Sequence, residues 1–258
     1  MKDLKVAICL ITCELDHLEE WIVHHINYGF QDFLICVDTS RMKDNEKNIA
    51  IDLQNKFKGI KLYNYENLKD DSLVTPQKQF YYDCTKDNLE FDYILYTDSD
   101  EYYESKTKDV IEDIDLIKSK YGHFDSLSIF WRFYGCYPFF ETRVPIEYYK
   151  KFVPNKHVKS LVNPKVIESF ENLHLPTLKK GSICIDENGT KIISANQHYP
   201  SVNKVWIKHL FTRSKEEWVS KINRKGWYEA GTQDWPRDME LFYKFNKDVE
   251  DQSKWFKE

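Results

Sequence analysis

Apolar positions along the first half of the chain switch between a period of two and a period near 3.6. Leu4 to Thr12 reads as a buried strand, because the apolar run Val6 to Ile11 is far shorter than the ~18 residues of a membrane span and carries no small-residue cleavage site. Asp16 is expected to cap the next helix, with Glu19 closing a capping box; Leu18, Trp21, Ile22 and Ile26 share one face, and Gly29 stops it. Phe33 to Val37 returns as a strand ending in Asp38-Thr39-Ser40. Ile49, Leu53 and Phe57 mark a second helix, which leads past Gly59 to a strand at Ile60 to Tyr63. Thr75-Pro76 opens a helix reaching about Leu89, with proline at the first helical position. Tyr93 to Thr97 is a fourth strand that runs into Asp98-Ser99-Asp100-Glu101. A helix over Val110 to Lys118 and a strand over Leu127 to Trp131 complete the alternation.

This order predicts an α/β fold with a mostly parallel sheet flanked by helices. Past residue 132 aromatics, prolines and short strand-like runs take over, until a capped helix at Ser214 to Lys225. With no repeat, linker or low-complexity segment, a single domain over 1–258 with an irregular C-terminal half is expected.

Composition narrows the function classes. The 258 residues carry 37 Lys+Arg against 42 Asp+Glu, a net charge of −5 dispersed along the chain, so nucleic acid is not an expected partner. Hydrophobic residues make up 41%, enough to bury a core. The six cysteines form no CxxC pair and several lie in apolar runs, which fits reduced core residues. A soluble, unexported, cytoplasmic chain is expected.

The most informative residues are Asp98-Ser99-Asp100-Glu101. If the segment is extended, Asp98 and Asp100 project to one face. They end an apolar strand, where open α/β sheets bind ligands. Two adjacent carboxylates need a cation or proton between them, and hard oxygen ligands of this kind suit Mg²⁺ or Mn²⁺ with positions left for a diphosphate. A solvated acidic turn is the plain alternative. Asp38 ends another strand expected on the same rim, where it could accept hydrogen bonds from a ribose or base.

Several blocks together resemble a family. Cys13-Glu14-Leu15-Asp16-His17-Leu18-Glu19-Glu20-Trp21-Ile22-Val23-His24-His25, running on to Gly29, is similar to the first-strand exit and E-W-x-x-H-H helix of glycosyltransferases of the family 2 and family 92-like groups. Gln77 with Tyr81, Tyr82 and Cys84, then Tyr93 to Tyr102 with its D-S-D-E core, resemble the family's next blocks. So do Trp131 to Gly135, Lys159 to Pro164, and His209-Leu210-Phe211-Thr212-Arg213-Ser214-Lys215-Glu216-Glu217-Trp218. The resemblance spans roughly residues 6 to 226.

It implies the GT-A fold, a Rossmann-like nucleotide-diphospho-sugar transferase, with residues 1–131 as the nucleotide-sugar-binding half and 132–258 as the acceptor-binding and closing half. It further implies a metal-dependent, inverting glycosyltransferase moving sugar from a UDP- or GDP-sugar to a saccharide or glycoconjugate acceptor. Asp98, Asp100 and His209 would hold Mn²⁺ or Mg²⁺. Thr12, Glu14, Asp38 and Asp98 would line the nucleotide-sugar, and Lys159 and Arg213 would neutralise phosphate. A lipid-linked acceptor would add peripheral membrane association.

Such a transfer needs a base for the acceptor hydroxyl. Asp234 and Glu141 are the leading candidates, with Glu147 and Glu101 behind them. Trp131, Tyr134, Tyr137, Trp227 and Trp235 are aromatics for an acceptor cleft or, equally, for the core. A nucleotidyl- or phosphotransferase is a second enzyme reading, weakened by the lack of a glycine-rich phosphate loop. A non-catalytic glycan-binding or scaffold protein of the same fold is a third.

Overall fold

The computed structural model describes residues 4–37, 47–64, 76–196, 199–223 and 237–254. The chain divides into two compact units, Met1–Trp131 with Lys156–Ile207, and Arg132–Asn155 with Lys208–Glu258. It is a mixed α/β chain with a mostly parallel sheet flanked by helices.

The first unit opens with β1 (Val6–Thr12), α1 (Leu18–Asn27), β2 (Asp32–Val37), α2 (Lys47–Lys56), β3 (Ile60–Asn64), α3 (Pro76–Lys86) and β4 (Tyr93–Thr97). β1 pairs in parallel with both β2 and β4, and β2 with β3, giving the order β3-β2-β1-β4. All seven residues of β1 are buried, as expected of a strand covered on both faces. α1 buries Leu18, Trp21, Ile22 and His25. Its N-cap is His17, without a side-chain cap hydrogen bond, so the expected Asp16 cap is not formed; Glu19 and Glu20 still place negative charge at the helix start. Gly29 follows with φ of 85°, and Gly59 takes φ of 80° where a side chain would meet the Gln31 carbonyl at 1.9 Å.

After β4 the chain makes a short strand β5 (Glu101–Ser105), then α4 (Val110–Tyr121) and β6 (Ser126–Tyr134). Asp109 caps α4 by accepting from the Ile111 and Glu112 amides. Neither β5 nor the 11-residue β7 (Phe152–Val162) follows from local apolar pattern. β7 returns antiparallel beside β4, pairing Leu161 with Leu95 and Val162 with Ile94. Short strands β8 (Ile167–Ser169), β9 (Thr177–Leu178) and β10 (Cys184–Ile185) and the buried β11 (Val205–His209) follow. The sheet order is β3-β2-β1-β4-β7-β6-β11-β5, with β10 on β6. All six cysteines are free, and five of them are buried.

The second unit carries α5 (Lys215–Asn223) and α6 (Met239–Ser253). Ser214 and Glu217 make a capping box at the start of α5: the Ser214 amide donates to Glu217 at 3.0 Å, and the Glu217 amide to Ser214 Oγ at 3.4 Å. Asp238 caps α6, in which Phe242, Phe245 and Val249 recur at helical spacing. Inside this unit the buried Asn246 side chain accepts from the Cys136 amide at 2.7 Å and donates to the Phe242 carbonyl at 2.9 Å.

Candidate functional site

The carboxyl ends of β1 and β4 lie side by side, since Leu10 pairs with Thr97. At the β1 exit Thr12 Oγ1 accepts from the Glu14 amide at 2.8 Å, a local turn that fixes where Glu14 leaves the sheet. At the β4 exit the Glu101 amide donates to the Asp98 carbonyl at 3.1 Å, and the Asp98 amide donates back to Glu101 Oε2 at 2.9 Å. Asp98 to Glu101 is therefore a closed turn and not an extended segment. Period-two alternation ends at Thr97, and the turn brings the Asp98 and Glu101 side chains together, with Asp100 near enough that its charge acts on both. The turns at the two strand exits meet where Ser99 Oγ donates to Glu14 Oε2 at 3.4 Å.

Lys159, on β7, closes the arrangement. Its fully buried ammonium donates to Asp98 Oδ2 at 2.8 Å and lies 3.1 Å from Glu101 Oε2. From α3, Gln77 Nε2 donates to Asp98 Oδ1 at 2.7 Å, and Tyr81 donates to the Thr97 carbonyl at 3.0 Å. Both Asp98 oxygens are thus engaged, while its side chain stays 38% exposed. Glu101 is fully buried and its Oε1 has no hydrogen-bond partner.

The charges follow from this geometry. Burial alone would raise the Asp98 pKa, but the Lys159 ammonium outweighs it and the carboxyl falls below its ordinary value. Burial pushes Glu101 up to about 8; Lys159 opposes the rise, while Asp98 and Asp100 add to it. Burial would lower Lys159, yet Asp98 and Glu101 together raise it.

The E-W-x-x-H-H block is scaffolding for this turn. Trp21 Nε1 donates to the Glu101 carbonyl at 2.9 Å. His25 Nδ1 sits 2.7 Å from the Trp21 carbonyl, and its Nε2 accepts from the Tyr103 amide at 3.1 Å, which assigns the neutral tautomer with the proton on Nδ1. Burial, with the neighbouring His24, holds the His25 pKa well below its usual value. In the fold this block clamps the strand after the acidic turn.

The remaining expected residues divide clearly. Thr12, Glu14, Asp98, Asp100 and Lys159 all belong to the first unit, with Asp98 and Lys159 in direct contact. Lys159 presents its ammonium to two protein carboxylates. His209 belongs to the second unit, packed against Phe133 and Phe211. Arg213, also there, is buried, lies 3.6 Å from Glu217 and takes φ of 52°. Glu141 is 71% exposed and paired with Lys215 at 3.0 Å; a surface ion pair of this kind does not mark it as a base. Trp131 stacks on His157 within the first unit, ring centroids 5.1 Å apart. Asp38, Trp227, Asp234 and Trp235 lie outside the described residues.

The donors at Asp98 do not fit a divalent ion. Each oxygen already accepts an N–H, and one donor is itself a cation, so a metal there would face an ammonium at hydrogen-bonding range. Among the described residues no group of three or more His, Cys, Asp or Glu side chains is placed to hold a metal. Among them, too, no helix is long and apolar enough to cross a membrane.

No family model matches the chain, and no curated protein matches it. Among solved structures it is similar to HddC from Yersinia pseudotuberculosis, at 12% identity over 84% of this chain and 97% of that one, with a TM-score of 0.46. A structure of HddC complexed with GMP-PN matches at 10% identity over 95% and 99%, with a TM-score of 0.37. Likenesses at these scores carry nothing about fold or activity.

Proposed function

We propose that the chain is a GT-A glycosyltransferase that moves a sugar from a nucleotide-sugar donor to a saccharide or glycoconjugate acceptor. The observation that carries this reading is the acidic turn Asp98–Glu101 at the carboxyl end of β4, touching the β1 exit through Ser99 and Glu14. In open α/β sheets that rim is where nucleotides bind. The blocks of the family resemblance add support, because Gln77, Trp21 and Lys159 converge on this one turn and His25 holds the strand that follows it.

In this reading the partly exposed Asp98, held ionised, accepts hydrogen bonds from the donor's ribose hydroxyls. The acceptor oxygen attacks the anomeric carbon, the bond to the diphosphate breaks, and the acceptor proton passes to a base, for which Asp234 is proposed. Holding the two substrates in line supplies a large share of the rate.

A thermal-shift series with UDP, GDP and CMP, each with and without Mn²⁺ or Mg²⁺, tests donor binding. One nucleoside diphosphate is expected to raise the melting temperature by mass action. Indifference to all of them removes the reading. A shift that requires Mn²⁺ or Mg²⁺ returns a metal to the site through Asp100. Asp98→Asn is expected to slow hydrolysis of the matching sugar nucleotide at least tenfold, and an unchanged rate excludes Asp98 from the donor site.

A further inference from the structure

Lys159 sits where no local pattern would put a cation. It is fully buried on β7, and its ammonium lies within 3.1 Å of oxygens from two carboxylates three residues apart on one turn. The turn holds those carboxylates independently of Lys159, through the reciprocal hydrogen bonds between Asp98 and Glu101 and the Gln77 contact. The pocket between them is therefore preformed for a positive charge. Glu101 Oε1 is buried and without a hydrogen-bond partner, an acceptor on the same carboxylate that the ammonium leaves unused. Paired carboxylates with a spare buried oxygen are the donor chemistry of a hard divalent cation, which gathers more oxygens than an ammonium with three donors can.

We propose that Lys159 is a resident cation, occupying between Asp98 and Glu101 the place a divalent ion would take, and that removing its charge turns this turn into a divalent-cation site. Asp98 then binds no metal in the wild-type protein. Its ionised state comes from the protein's own side chain and survives chelation. The proposal concerns the ion set alone and does not depend on the transferase reading, so either can fail without the other.

Mn²⁺ alone is the probe, with free Mn²⁺ counted by electron paramagnetic resonance and folding followed by circular dichroism. Wild-type protein and Asp98→Asn are expected to bind Mn²⁺ with dissociation constants within twofold of each other. No measurable binding by the wild type counts the same way, because the place is already filled. Lys159→Ala is expected to bind Mn²⁺ at least tenfold more tightly than the wild type, with a melting temperature that rises as Mn²⁺ is added, and Lys159→Ala/Asp98→Asn is expected to lose that gain. A tenfold weaker Mn²⁺ affinity in Asp98→Asn overturns the proposal, as does a folded Lys159→Ala that gains nothing. If Lys159→Ala does not fold with or without Mn²⁺, the wild-type and Asp98→Asn titrations decide the matter.

Discussion

Glu101 and Glu187 are both buried acids of the first unit, and they are held in opposite ways. Glu187 is 1% exposed and both its oxygens are taken: Ser201 Oγ and the Asn203 amide donate to one, the Lys204 and Val205 amides to the other. Glu101 is equally buried, but one oxygen carries the Asp98 amide and the Lys159 ammonium while the other carries nothing. The difference separates a clasp from a site. A carboxylate whose acceptor capacity is exhausted by backbone amides can only hold the chain in place. One left with a spare buried oxygen beside an exposed strand end keeps chemistry available, at a cost in stability that the fold covers elsewhere.

The largest way to break this contrast is Glu187→Ala. It leaves three amides, that of Val205 buried, and a hydroxyl without their acceptor, and should destabilise the fold by about 2–3 kcal/mol in urea unfolding. A loss below about 1 kcal/mol would mean that water replaces the carboxylate and that Glu187 is no clasp.

Glu101 should instead reveal itself through pH. The unfolded chain releases this proton near 4.5 and the folded chain near 8, so the stability tied to it is complete below 4.5 and is lost as pH rises toward 8. Glu101→Gln, neutral at every pH, should flatten the fall in stability between pH 5 and 8 by roughly 1 kcal/mol per pH unit over the steepest part. Identical pH profiles for the two proteins would place the proton elsewhere.

Ser201→Ala probes the contrast most gently. It removes one of the four donors to Glu187 and leaves three amides in place, so about 0.5–1.5 kcal/mol is expected, measured by the same urea midpoint. A loss as large as that of Glu187→Ala would show that the hydroxyl, and not the amide set, fixes the clasp.

Much of the first unit is legible in the chain itself. β1, β2, β3 and β4 announce themselves as short apolar runs, and α4 by its spacing, because burial on a strand or helix face imposes a local period. The position of the acidic turn at the end of β4 was legible for the same reason. Its internal geometry was not: the same four residues could continue the strand or close a turn, and the reciprocal Asp98–Glu101 bonds decide for the turn. α6 was legible in principle, from Asp238 and the spacing of Phe242, Phe245 and Val249, but the aromatic texture around it hid the period.

Local pattern carries the order of strands and helices and the exit of two carboxylates at the carboxyl edge of the sheet. Their counter-charge and their support come from contacts between distant segments. Lys159 reaches Asp98 across 61 positions and Trp21 reaches the Glu101 carbonyl across 80. Neither contact leaves a period or a spacing to read. The reason is physical: hydrogen-bonded turns and amphipathic faces are set by neighbours in the chain, whereas the partner of a buried charge is set by which strand the sheet places beside it, here β7 against β4.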